Sequence, residues 1–167
     1  MLVRNNSFEV RSITKDDLGA VLDVYRQCED FLALGPEPTA SMNMVLKDIE
    51  ISQRKGGVFC GVYTADGRMI GVADFVPGNF EGAPHIAFFS LLMIAPSFRN
   101  QGIGTTIVKL IEDEIRRDAR ITAILTAVQV NNPNALRFWQ KNGYRTVGEP
   151  ELQPDQTTTF RLQKDCN

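Results

Sequence analysis

The chain has 167 residues, 43% hydrophobic and 23% charged, which suits one domain with a real core and excludes wholesale disorder. Eighteen basic against twenty acidic residues leave a formal charge of -2, so the global balance points to no nucleic-acid partner.

Phe8 to Ile13 reads as a short strand, and Thr14-Lys15-Asp16-Asp17 as a helix start in which Thr14 can cap. Leu18, Val21, Leu22, Tyr25 and Cys28 follow at helical spacing. Glu29 to Thr39 is expected to be a loop, with two prolines and a glycine, before a second helix from about Ser41 to Gln53. Val58 to Tyr63 and Met69 to Val76 read as paired strands joined by Asp66-Gly67. Ile86 to Ile94 is apolar at alternate positions of both faces, as a central strand should be, and Pro96 stops it. A helix from Gly102 to Arg117 carries a buried stripe of Ile103, Ile107, Leu110, Ile111 and Ile115. Ile121 to Val130 is another apolar strand, and the strand–helix–strand order implies a right-handed parallel crossover. Asn132-Pro133 opens a helix that ends at Asn142-Gly143. Tyr144 to Gly148 and Thr157 to Leu162 are the weaker last strands. The order β-α-α-β-β-β-α-β-α-β-β gives an α/β (α+β) fold: one mixed sheet with helices on both faces, as a single domain over 1–167.

The longest apolar stretch, residues 86–95, is broken by Ser90 and is about half the length of a membrane span, so no membrane partner is expected. Residues 1–6 hold no apolar signal core. Three widely spaced cysteines show no metal or disulfide spacing, which fits a reducing cytoplasm.

The sharpest feature is Arg99-Asn100-Gln101-Gly102-Ile103-Gly104, between a buried strand and an amphipathic helix. The first amides of a helix have no intrahelical partner, and the dipole puts partial positive charge there. Glycines let an anion approach those amides. Arg99 adds a cation, and Thr105 and Thr106 offer hydroxyls. The segment reads as a pyrophosphate seat. The plainer alternative is a tight turn that lets the helix pack closely on the sheet. A dinucleotide fingerprint fits less well, because its third glycine would fall at Ile107. A Walker loop is excluded by the lack of Gly-Lys-Ser/Thr.

This segment resembles the Arg/Gln-x-x-Gly-x-Gly/Ala motif of the GNAT superfamily of N-acetyltransferases. Leu91-Leu92-Met93-Ile94-Ala95-Pro96 resembles the family's fourth strand. The run from Asn132 through Ala135 and Trp139 to Gly143-Tyr144 resembles its later Asn-x-x-Ala-x-x-aliphatic-Tyr-x-x-x-Gly-Phe segment. The match covers residues 86–148; the N-terminal half agrees in layout only. The resemblance implies acetyl-CoA or another acyl-CoA as donor, with the backbone of Leu92, Met93 and Ile94 along its pantetheine arm. Amides from Gln101 to Thr105, beside Arg99 and Asn100, would hold its pyrophosphate, with Asn132, Ala135 and Trp139 also at the cofactor. An amide near Met93 would serve the developing oxyanion as an amine attacks. A homodimer is compatible with this reading.

Two family positions are not matched. Trp139 stands where a Tyr often protonates the departing thiolate, and indole is no practical acid; it reads as an aromatic wall or a packing residue. The usual strand glutamates would fall near Phe88 and Ala127, which cannot act as bases. His85, Glu81 and Asp74 remain as candidates. An acyl-CoA-binding regulatory module without turnover is the alternative function. For the acceptor, Glu29, Asp30 and Glu37 make the first loop acidic, which favours a cationic amine, although a solvated loop would look the same.

Overall fold

Residues 1–166 are described by a computed structural model of the chain. Along it run β1 (Leu2–Arg4), β2 (Phe8–Ser12), α1 (Leu18–Gln27), α2 (Glu29–Leu32), α3 (Met42–Arg54), β3 (Val58–Thr64) and β4 (Met69–Val76). There follow β5 (Ile86–Ile94), α4 (Ile103–Ile115), β6 (Ala123–Gln129), α5 (Pro133–Lys141), β7 (Arg145–Leu152) and β8 (Thr158–Asp165). The strands form one sheet in the order β1-β2-β3-β4-β5-β6-β8-β7. Every neighbouring pair is antiparallel except β5 and β6, which are joined through α4 as the crossover requires.

Side-chain alternation sends two sets of apolar residues to opposite faces. One set meets the Ile103–Ile107–Ile111–Ile115 stripe of α4 and the aromatic face of α5. The other, with Phe59, Val72 and Met93 from the sheet, meets Val21, Val24 and Tyr25 of α1 and Val45 of α3. Helices therefore cover both faces. Buried Glu112 of α4 is a polar staple in the first core: it accepts from Tyr144 Oη at 2.9 Å and pairs with Lys164 Nζ at 2.9 Å. This fixes the end of α5 against α4 and β8.

Three sequence expectations change. Leu2–Arg4 is a strand, paired with β2, at a terminus too polar to show periodicity. Glu29–Leu32 is one turn of helix inside the expected loop. β7 runs on to Leu152 through Pro150, past a register shift, because it is the sheet's edge, where a missing N–H is tolerated. Caps behave as expected at α3 and α5: Ser41 accepts from Met44 N, and Asn132 from Ala135 N at 3.1 Å. Ahead of α1, Thr14 and Asp17 form a capping box, in which Asp17 accepts from Thr14 N at 2.7 Å while held by Arg11.

Candidate functional site

β5 and β6 pair only from Ile86↔Ala123 to Phe89↔Thr126. Beyond that point β5 stays with β4 up to Ile94, while β6 stays with β8 up to Gln129, so the two parallel strands part into a V. A bulge helps to open it. Asp74 faces Leu91 and Phe75 faces Phe89, leaving Ser90 as the extra residue of β5. A cleft of about 850 Å³ occupies the V and runs to the N-termini of α4 and α5.

The edge that β5 offers this cleft follows from hydrogen-bond alternation. Ala95 N donates to Ile70 O at 2.8 Å, and Val72 is opposite Met93. Two residues back from a bonded pair lies the next bonded pair, so Met93 turns its N–H and C=O to β4. A Cβ on Gly71 would lie 2.5 Å from Met93 O, which agrees. Leu92 and Ile94 therefore face the V. Ile94 O already accepts from Arg99 Nε at 2.8 Å; the Leu92 N–H and C=O and the Ile94 N–H remain open. The oxyanion amide expected at Met93 is thus committed to the sheet, and the available donors are its two neighbours.

At the mouth, Asn100 and Gly102 both take left-handed backbone (φ 59° and 77°), which turns the chain into α4. Among the described residues, none of the amides from Asn100 to Thr105 has an acceptor. Six consecutive N–H groups at a helix N-terminus have the geometry that suits an anion. Gly102 is needed for its backbone. Gly104 sits close to α5: a Cβ there would lie 3.1 Å from the Phe138 ring, which would have to give by a few tenths of an ångström. Unpaired amides and close packing of the two helices therefore occur in the same segment.

Other residues fall differently from expectation. Arg99 is not a free cation. Its terminal nitrogens grip Asp30 at 2.5 and 3.1 Å, which strengthens both charges and fastens α2 to the end of β5. That pair also removes one carboxylate from the acidic loop, and Glu29 is occupied by Ala40 N at 2.7 Å. The loop therefore offers less charge to an acceptor than its composition promised. Gln101 ties its side chain to Ser97 O, and Ile103 is buried in the core; their share in the seat is their amides. Asn132, Ala135 and Trp139 line the cleft, with Thr105, from α4 and α5. The sequence reading missed Arg137 and Lys141, one helical turn apart on the cleft side of α5; their i, i+4 spacing was the available signal.

Trp139 is 7% exposed and packs at 5.2 Å from Phe89, 5.3 Å from Phe138 and 4.9 Å from Tyr144 (ring centroids). It is a wall of the cleft built into the aromatic core. His85 lies at the start of β5, exposed, eight residues or roughly 25 Å from Met93, which removes it from the chemistry. Glu81 is paired to Arg161. Asp74 stands on the α1/α3 face of β4, opposite Leu91 and level with the bulge. It is 6% exposed and accepts from Ser52 Oγ at 2.6 Å. Burial pushes its carboxyl up to about 6, against the pull of the Ser52 and Ser90 hydroxyls. Beside it, Tyr25 donates to Asp48 at 2.7 Å, and burial raises both of those groups as well.

The chain, with its sheet parted at the parallel β5–β6 pair, is similar to known proteins. The model of the acetyltransferase (GNAT) family matches residues 20–144. A Bacillus subtilis (strain 168) protein, S-(2-succino)cysteine N-acetyltransferase, is 27% identical over 128 residues, 72% of either chain. The fold is shared with a spermidine N-acetyltransferase from Vibrio cholerae solved with CoA and spermine (TM-score 0.74, 17% identity, 96% of each chain). It is shared too with an acetyl transferase from Salmonella typhimurium that modifies the N-terminal serine of a ribosomal subunit protein (TM-score 0.80, 16% identity, 100% of each chain). The chain belongs to the acetyltransferase (GNAT) family.

Proposed function

We propose that this protein transfers the acetyl group of acetyl-CoA directly to a primary amine of a small molecule or peptide. The observation that carries the reading is the run of six unpaired amides, Asn100 to Thr105, at the open end of the V. The residues fit the donor. The amides and the α4 dipole suit its pyrophosphate, and the cations of Arg137 and Lys141 suit its further phosphate. The free edge of Leu92 and Ile94 suits the amides of pantetheine, as an added strand would. Acetyl-CoA supplies an activated thioester.

At the base of the V, the Leu92 N–H is placed to receive the carbonyl oxygen as charge grows on it. Carbon–nitrogen bond formation and carbon–sulfur cleavage leave CoA thiolate and an ammonium. Asp74, through the Ser90 hydroxyl and water, takes the amine's proton; a carboxyl near 6 is mostly ionised at neutral pH yet basic enough to accept it. Trp139 shields the thioester and transfers no proton. No helix among the described residues is long and apolar enough to cross a membrane. A reducing, cytoplasmic setting suits the three free thiols.

The test is a mass-spectrometric screen of amines, amino acids and peptides with acetyl-CoA, scored for acetylated product and for CoA released in equal amount. Binding of acetyl-CoA without transfer to any acceptor would establish the regulatory-module alternative instead.

A further inference from the structure

The parted strands also leave a gap on the α1/α3 side of the sheet, away from the Asn100–Thr105 amides. The helices on the α1/α3 face pack on β3, β4 and β5, so β6 and β8 carry no comparable cover on that side. Ala127 is the first residue of β6 past its pairing with β5, and it is exposed. Ile124 and Val128 belong to the α4 core, so Ala127 faces the opposite way, towards the α1/α3 side. Its partner across the β6–β8 ladder is Arg161, on the same face and about 5 Å away between Cα atoms. Ala127 puts only a methyl group between the end of the β5–β6 pairing and the strand position of Arg161.

Arg161 is held loosely. Glu81 meets its terminal nitrogens at 3.3–3.4 Å, and Glu151 meets Nε at 3.5 Å. Both carboxylates are about half exposed, at 59% and 49%, while the Arg161 side chain is 30% exposed. Glu81 sits on a loop that presents it from left-handed backbone (φ 51°). Exposed pairs of this kind contribute little, so an incoming carboxylate can take over the two-nitrogen contact of Glu81 at little cost. On the cofactor side of the V, Arg99 is already committed to Asp30 and the carbonyl of Ile94. Arg161 is thus the exchangeable cation on the α1/α3 side of the gap.

We propose that Arg161 receives a carboxylate of the acceptor, and that the acceptors are amines bearing a carboxylate a few bonds from the nucleophilic nitrogen, as in amino acids. This deepens the acetyltransferase reading and rests on it. Glu81 acts as the stand-in that keeps Arg161 extended while the site is empty.

The experiment compares KM for a panel of amino acids with KM for their methyl esters, in the wild type, Arg161→Gln, Arg161→Lys and Glu81→Gln. KM for acetyl-CoA in each protein reports whether the cofactor cleft is intact. The wild type is expected to favour the free acids by about tenfold or more. Arg161→Gln should bring the ratio towards one, through KM of the acids, and Arg161→Lys should lie between. Glu81→Gln, on an exposed loop, should raise the ratio because a competitor is gone; it decides the matter even if the Arg161 variants fold poorly. Equal or better use of the esters by the wild type, or a ratio indifferent to Glu81→Gln, overturns the proposal. Failure to acetylate any amine, acid or ester, would overturn the parent reading and this one with it.

Discussion

Burial of Asp74 lowers stability, and the same burial supports its proposed role as the base. Burial pushes its folded carboxyl up to about 6 from the ordinary 3.8, so between about pH 4 and pH 6 the folded chain binds more protons than the unfolded chain. Its contribution to stability therefore falls as pH rises through that window, by about 3 kcal/mol in all. Asp74→Asn keeps an acceptor for Ser52 and has no charge to bury. It should match the wild type at pH 4 and exceed it by about 1–3 kcal/mol at pH 7 in denaturant unfolding, while kcat/KM falls and loses its rising limb near pH 6. Unchanged activity in that variant would remove Asp74 from the proton path. Trp139 gives the opposite expectation. Trp139→Phe should retain kcat within about threefold and lose about 1–3 kcal/mol of stability, since the indole is held by three aromatic rings and has no proton to give. A loss of about 10²-fold in kcat with the fold intact would assign the indole a chemical role.

At the scale of elements, α4 and α5 form the site as a pair, and Gly104 is where they meet. A valine there has to push against the Phe138 ring, a small-to-large change costing about 1–3 kcal/mol, so Gly104→Val should lower the unfolding midpoint as well as acetyl-CoA affinity. Gly104→Ala should show the same two effects, smaller. Affinity loss without any stability loss would make Gly104 a phosphate contact alone. Periodicity and caps made most elements legible: the amphipathic stripe of α4, the Asn132 cap of α5 and the β5–α4–β6 crossover are local patterns. What stayed hidden depends on pairing. The bulge at Ser90, the parity that turns Met93 inward and Leu92 outward, and the place of β8 between β6 and β7 arise from register between strands.

Across the whole molecule, the site runs through the sheet. The phosphate seat lies with the α4/α5 layer, Asp74 and Arg161 lie on the opposite face, and the parted strands connect them. The glycine-bearing turn into α4, with its unpaired amides, could be read from sequence because its residues are contiguous. The Arg99–Asp30 clasp joins residues 69 apart, and the Arg161–Glu81 pair joins residues 80 apart, so neither leaves a local trace. The most direct measurement of the central claim is the backbone amide spectrum of the labelled protein titrated with acetyl-CoA. Saturable shifts are expected to be largest at Asn100 to Thr105 and at Leu92 and Ile94, with His85 unmoved. Saturation that leaves those amides in place, or shifts confined to the far end of β5, would contradict a donor bound in the V.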